Sequence, residues 1–150
     1  MLPKPRMRVF LDSNVVFSGL YSSEGASGII LERFIEGEFK VVISQQVLTE
    51  VVRTLKDKLT EALPFLRQLL VSSPPEIVKD QSSEEVASWA KIIHIENAGI
   101  LAAAVAAQPH YLVTGDKHFL ENPGIAEKSG LCIVTPAEFL ERLARDSGAS

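Results

Sequence analysis

Apolar residues along this chain fall into short runs that switch between two spacings. Arg8-Val9-Phe10-Leu11-Asp12 is a β-branched and aromatic run that stops at polar Asp12-Ser13-Asn14. That is the pattern of a buried strand ending in a loop. Ser22–Gly28 is small and polar, a loop or helix entry, and Ile29, Ile30, Leu31, Phe34 and Ile35 then recur at helical spacing up to Gly37. Lys40-Val41-Val42-Ile43-Ser44 reads as a second strand. The next segment, Gln45 to Lys58, puts Val47, Leu48, Val51, Val52 and Leu55 on one stripe and predicts an amphipathic helix.

Pro64 and the cluster Ser72-Ser73-Pro74-Pro75 bracket a helical piece carrying Phe65, Leu66, Leu69 and Leu70. Ser82 followed three residues later by Glu85 has capping-box form, which predicts a helix from Ser83 to about Lys91, with Trp89 as a core or rim anchor. Asn97 is expected to open an Ala-rich helix, Ala98–Ala107, whose small side chains allow close packing on a sheet. Tyr111-Leu112-Val113-Thr114 and Leu131-Cys132-Ile133-Val134 read as third and fourth strands, and Pro136 starts a last helix to about Arg145. Strands separated by helices imply parallel pairing with right-handed crossovers. The expected fold is therefore α/β, a three-layer helix–sheet–helix sandwich with a mainly parallel sheet.

Composition narrows the class. At 150 residues the chain fits one domain spanning 1–150, with a core of about 7–143. The longest strongly apolar run, Ile100–Ala107, is too short to cross a bilayer, and no secretory signal is visible near Met1. The single cysteine, Cys132, forms no internal disulfide and reads as a small buried hydrophobe. A cytoplasmic location without membrane contact is expected. The formal charge of -4, from 15 Lys plus Arg against 19 Asp plus Glu, speaks against nucleic-acid binding through bulk electrostatics.

Several of those acids stand at strand ends, where ligands bind in open α/β sheets. Asp12 ends the first strand, Asp116 follows the third, and Glu50 lies in the second turn of the helix after the second strand. Clustered carboxylates raise one another's pKa unless a cation neutralises them. Hard oxygen donors suit Mg²⁺ or Mn²⁺. Each acid also has a plain structural alternative: a turn at Asp12, a solvated pair of Glu50 with Arg53, and a cap by Asp116 on the segment Lys117–Glu121.

Four segments, Val9–Val15, Ser44–Glu50, Ile100–Ala104 and Tyr111–Lys117, together resemble the PIN-domain family. The likeness is nearest to its VapC-like toxin ribonucleases of toxin–antitoxin systems, and it spans roughly Met7 to Leu143. The resemblance implies a metal-dependent endoribonuclease using Mg²⁺ or Mn²⁺, with RNA as substrate, an antitoxin protein as partner, and homodimerisation. Asp12, Glu50 and Asp116 match the family's first, second and fourth acidic positions. The third departs: Asn97 stands where an aspartate is usual, with Glu96 beside it as a substitute. Asn caps a helix about as well as Asp, but as a ligand it is neutral.

Asn14, Ser13 and Thr114 are candidates for orienting the acids or their waters. Lys117, Arg53, His118 and the basic start Lys4, Arg6 and Arg8 are candidates for phosphate contact, with solvation the default for exposed cations. His94 and His110 have no partner at ligand spacing and read as structural. A second class of function stays open, a catalytically weakened PIN module that binds RNA or a partner protein without cleaving. A phosphatase of the haloacid dehalogenase kind ranks low, because it needs an aspartate at the place of Asn14. With the three acids set aside, the remaining charge is nearly neutral, which weakens the electrostatic objection to RNA.

Overall fold

The computed structural model describes residues 6–148. Among these residues five strands form one all-parallel sheet in the order β3-β2-β1-β4-β5. The strands are β1 (Arg8–Leu11), β2 (Lys40–Ser44), β3 (Glu76–Val78), β4 (Tyr111–Val113) and β5 (Ile133–Val134). Among the described residues nine helices flank it: α1 (Ser13–Tyr21), α2 (Ala26–Ile35), α3 (Gln45–Lys58), α4 (Leu63–Ser72), α5 (Ser83–Trp89), α6 (Ile95–Ala107), α7 (Lys117–Leu120), α8 (Pro123–Ser129) and α9 (Pro136–Gly148). A 3₁₀ turn, Thr60–Ala62, joins α3 to α4.

β1 is the middle strand. Phe10 stands opposite Val42 on one side and Leu112 on the other, and Val9, Phe10 and Leu11 are fully buried. A strand buried on both faces reads as a continuous apolar run, which is why Val9-Phe10-Leu11 does not alternate with polar residues. Strand order reverses between β1 and β4, because the chain proceeds from β1 to β2 in one direction and later returns to the other side. The crevice at the carboxyl ends of these two strands is the switch point where such sheets bind ligands. Asp12 and Thr114 stand at its two lips.

The α/β sandwich with its parallel sheet agrees with the sequence pattern, but several boundaries differ. Helix α1 begins directly after Asp12, where a loop was expected; the Asp12 side chain accepts the Ser13 N–H and caps it. Helix α2 starts at Ala26, three residues before the apolar spacing begins, with Gly28 packed against the Ser22–Ser23 backbone. Strand β3 is not foreshadowed by the sequence pattern, falling between the Ser72–Pro75 cluster and the Ser82 cap. Its Glu76 and Ile77 are exposed at the sheet edge, so no buried run marks it. Asn97 does not open α6. His94 is the cap, its ring nitrogen accepting from Glu96 N–H, and Asn97 lies within the first turn. Helix α8 had both its signals, Pro123 at the start and left-handed Gly130 (φ 72°) at the end. β5 covers only the last two of its four expected residues, α5 stops at Trp89, and α9 runs to Gly148.

Trp89 packs against the rim of the core, as its position predicts. His110 has a structural role, its Nδ1 accepting from Arg8 N–H at 2.9 Å. Arg8 lies at the amino edge of the sheet, opposite Asp12, and its guanidinium holds both carboxylate oxygens of Glu76 at 3.1 Å. It is therefore not a phosphate contact for a site at the carboxyl edge, and Arg6, which precedes it, lies on the same wrong side. Lys4 falls outside the described residues.

The last helix is fixed by Phe139, whose ring meets Phe39 edge-on at 5.2 Å and Tyr111 at 5.6 Å between centroids. Phe139 is fully buried. Phe139→Ala is expected to destabilise the domain by about 3–5 kcal/mol, read as a fall in the urea midpoint; a change below about 1 kcal/mol would contradict this packing.

Candidate metal centre

Asp12 is the most enclosed acid of the domain, 2% exposed. Its Oδ1 accepts Ser13 N–H at 2.7 Å, and its Oδ2 accepts the Thr114 hydroxyl at 2.7 Å and the Asn14 amide at 3.0 Å. Thr114 is fully buried, and its Oγ1 also accepts the Asp116 N–H at 3.0 Å. The Asn14 side-chain oxygen takes the Gly115 N–H at 2.9 Å. The start of α1 and the loop after β4 are thus locked to each other through the Asp12 carboxylate.

Two more acids face this one. Glu50 sits on α3, which begins as soon as β2 ends because Ser44 turns its hydroxyl onto Val47 N–H at 3.2 Å. The Ser13 hydroxyl donates to Glu50 Oε1 at 2.9 Å and lies 3.5 Å from Asp12 Oδ1, so it bridges the two carboxylates. Gln46 donates to the other Glu50 oxygen at 2.9 Å. Asp116 caps α7, its Oδ1 accepting His118 N–H at 2.8 Å with the His118 Nδ1 at 2.9 Å.

Burial pushes the Asp12 carboxyl above its ordinary range; the Thr114 and Ser13 hydrogen bonds oppose that rise, and the charges of Asp116 and Glu50 add to it. The donors that fix Asp12 are neutral, so they orient its charge without cancelling it. A divalent cation would cancel it. Carboxylate, hydroxyl and amide oxygens are the hard donors that suit Mg²⁺ or Mn²⁺. Among the described residues no three His, Cys, Asp or Glu side chains converge tightly enough to enclose an ion by themselves. Mg²⁺ keeps several waters and needs only one or two carboxylates, so this open donor set still fits it.

A cleft of about 560 Å³ opens beside Glu50, lined by Ser13, Gln46, Arg53, Asp80, Glu96 and Asn97 among others. Asn97 and Glu96 therefore stand on the same cleft as Glu50, Asn97 half-buried and Glu96 exposed. Arg53 lines the cleft without pairing with Glu50, whose partners are Ser13 and Gln46 instead. Lys117 is exposed at the start of α7. His118 lies in α7 with its ring exposed and its Nδ1 against the Asp116 carboxylate. The capping role weighed for Asp116 is real and coexists with its place at the sheet edge.

Gln46, Asp80 and Gly99 are not among the site residues that the sequence pattern predicts. Gln46 had a usable signal, lying one helical turn before Glu50 on the same face. Asp80 accepts Gln46 N–H at 2.9 Å across a separation of 34 residues, which no local pattern reveals.

The family model for the PIN domain matches residues 8–118. The chain is a PIN domain. Its fold is similar to that in the crystal structure of VapBC2 from Rickettsia felis bound to a DNA fragment from their promoter, at 18% identity and TM-score 0.63, covering 86% of this chain and 98% of that one. PAE2754 from Pyrobaculum aerophilum is similar at 20% identity and TM-score 0.65, covering 93% and 90%. FitAcB from Neisseria gonorrhoeae is similar at 17% identity and TM-score 0.57, covering 85% and 97%. No curated protein matches the sequence. No helix among the described residues of this PIN domain is long and apolar enough to cross a membrane.

The raised Asp12 pKa fixes the sign of a pH effect. Between the ordinary value of 3.8 and the higher native value, the folded state holds a proton that the unfolded state has lost. Stability of the metal-free protein therefore falls as pH rises through that window and stays lower above it. Asp12→Asn has no proton to lose, so its stability relative to the parent is expected to rise with pH across the same window. Urea denaturation in chelator at several pH values measures this, and a pH-independent difference would show that burial does not strain the Asp12 charge.

Proposed function

We propose that this PIN domain is a metal-dependent endoribonuclease of toxin–antitoxin type, hydrolysing RNA phosphodiesters with Mg²⁺ or Mn²⁺ held by Asp12, Glu50 and Asp116. The observation that carries this reading is an enclosed Asp12 carboxylate at the sheet's switch point, fixed by neutral donors and facing two further acids. A structural aspartate needs no such neighbours. A divalent ion there supplies Lewis acidity, activating water and offsetting the charge that develops on the phosphodiester.

The chain's own residues do the rest. Thr114, Ser13 and Asn14 hold Asp12 in one orientation. Ser13 and Gln46 do the same for Glu50, and His118 for one oxygen of Asp116. Arg53 beside the cleft and Lys117 at the start of α7 are the cations that would meet phosphates, with His118 next to Lys117. Asn97 contributes an amide and no charge, so a second ion has less to bind than in a site with four acids. Glu96 is the adjacent acid that could supplement it.

The likeness to VapBC2 and FitAcB supports an antitoxin protein as partner. An apolar groove of about 840 Å³ adds to this, with Tyr21, Ile35 and Phe65 each more than half exposed along it. Exposed aromatic patches of that kind mark protein contacts, and a second copy of the chain is the other occupant to expect. The neutral Asn97 favours one competing reading, a module that binds RNA or a partner protein without cleavage.

Titration of Mn²⁺ by calorimetry, with a labelled RNA pool as substrate, decides between them. The protein is expected to bind Mn²⁺ and to cleave, and a chelator should stop cleavage. Asp12→Ala and Asp116→Ala should each weaken Mn²⁺ binding by roughly tenfold or more and abolish cleavage. Asn97→Asp should tighten binding and raise cleavage. A parent protein that binds no divalent ion ends the nuclease reading. Binding without cleavage in both the parent and Asn97→Asp leaves the non-cleaving module.

A further inference from the structure

Gln46 occupies a junction that the metal reading does not by itself require. Its backbone N–H is held by Asp80 Oδ1 at 2.9 Å, which fixes the first turn of α3. Its side-chain amide donates to Glu50 Oε2 and to the Glu96 carbonyl, both at 2.9 Å. A Gln–Glu pair one turn apart is an ordinary helix-surface contact. A third partner on another helix is not, and it is reached because residue 99 has no side chain. A Cβ on Gly99 would lie 2.3 Å from Gln46 Oε1 and 3.3 Å from its Cδ. Gly99 lies inside α6 without a left-handed backbone, so its turn of helix does not itself demand glycine.

Resting on the metal reading above, we propose that Gln46 is a positioning residue that sets the Glu50 carboxylate against the first turn of α6, and that Gly99 makes the room it needs. Glu50 then has one oxygen on Ser13 from α1 and the other on Gln46, so its carboxylate plane cannot turn. The Glu96 carbonyl belongs to the residue before Asn97, so the same amide fixes the spacing between Glu50 and Asn97. Both stand on one cleft, and the Glu50 carboxylate that would meet the cation beside Asp12 is already aimed. Preorganisation of this kind raises affinity without adding a ligand.

The test is a double-mutant cycle on Mn²⁺ affinity, with thermal unfolding as a check that each variant folds. Gln46→Ala and Gly99→Ala are each expected to weaken Mn²⁺ binding by roughly tenfold. Combining them should cost no more than Gln46→Ala alone, because both act through one side chain. Alanine is the better helix former, so any loss in Gly99→Ala comes from the displaced amide. Parent-like or tighter binding by Gln46→Ala, or fully additive losses, overturns the proposal while leaving the nuclease reading intact. Should the parent bind no Mn²⁺, the nuclease reading falls and the Gln46 side-chain amide in an NMR spectrum of the metal-free protein decides. Amide protons protected from solvent exchange in the parent and released in Gly99→Ala uphold the clamp; freely exchanging protons in the parent overturn it.

Discussion

The hydrogen bond from buried Thr114 to buried Asp12 is the contact on which the rest of this domain's chemistry is arranged. It joins the ends of the two strands between which the sheet reverses its order, and it does so with a carboxylate that has almost no access to water. A buried carboxylate is costly unless its charge is compensated. Here the compensation is incomplete: three neutral donors orient Asp12, and two neighbouring acids oppose it. The fold therefore retains a local electrostatic strain that a cation would relieve. Ordinary capping of α1 by a solvated aspartate would give the same helix without that cost.

Much of the fold was legible because its central elements are strongly patterned. β1 and β2 are continuous apolar runs, and α3 carries a clear stripe; these alone place Asp12 and Glu50 at one edge of a parallel sheet. The elements that escaped are those whose stabilisation lies elsewhere. β3 is held by pairing with β2 at an exposed edge, where Glu76 and Ile77 need no burial. Helix α1 was hidden because Ser13 and Asn14 are turn formers in isolation; here the Asp12 cap puts both into helix, and their side chains serve the carboxylates. The start of α6 was misplaced because a histidine, an uncommon cap, does the work expected of Asn97.

The acids were readable one by one from strand ends, whereas only some of the groups that aim them were. Ser13, Asn14 and Thr114 could be named as supporting residues because they adjoin Asp12 or the end of β4. Gln46, Asp80 and Glu96 meet only through a crossing of α3, the loop after β3 and α6. Contacts of that kind depend on the angle between elements, which a one-dimensional pattern does not encode. Gly99 is the instructive case. It reads as one small residue among many in an Ala-rich helix, yet alanine there would collide with Gln46.

Asn97 takes on a different meaning once its cap role has passed to His94. A residue freed from capping has no local reason to be Asn, so its presence half-buried on the Glu50 cleft is a statement about charge. With aspartate there, a further anion would stand beside Glu50, Glu96 and Asp80 around one cleft, each raising the cost of ionising the others. Asparagine keeps an oxygen donor and removes that repulsion. The amide of Gln46 has the same effect on the opposite wall, where it donates to Glu50 rather than competing with it. The cleft thus carries the carboxylates of Glu50, Asp80 and Glu96, and Asn97 adds an oxygen there without a fourth charge.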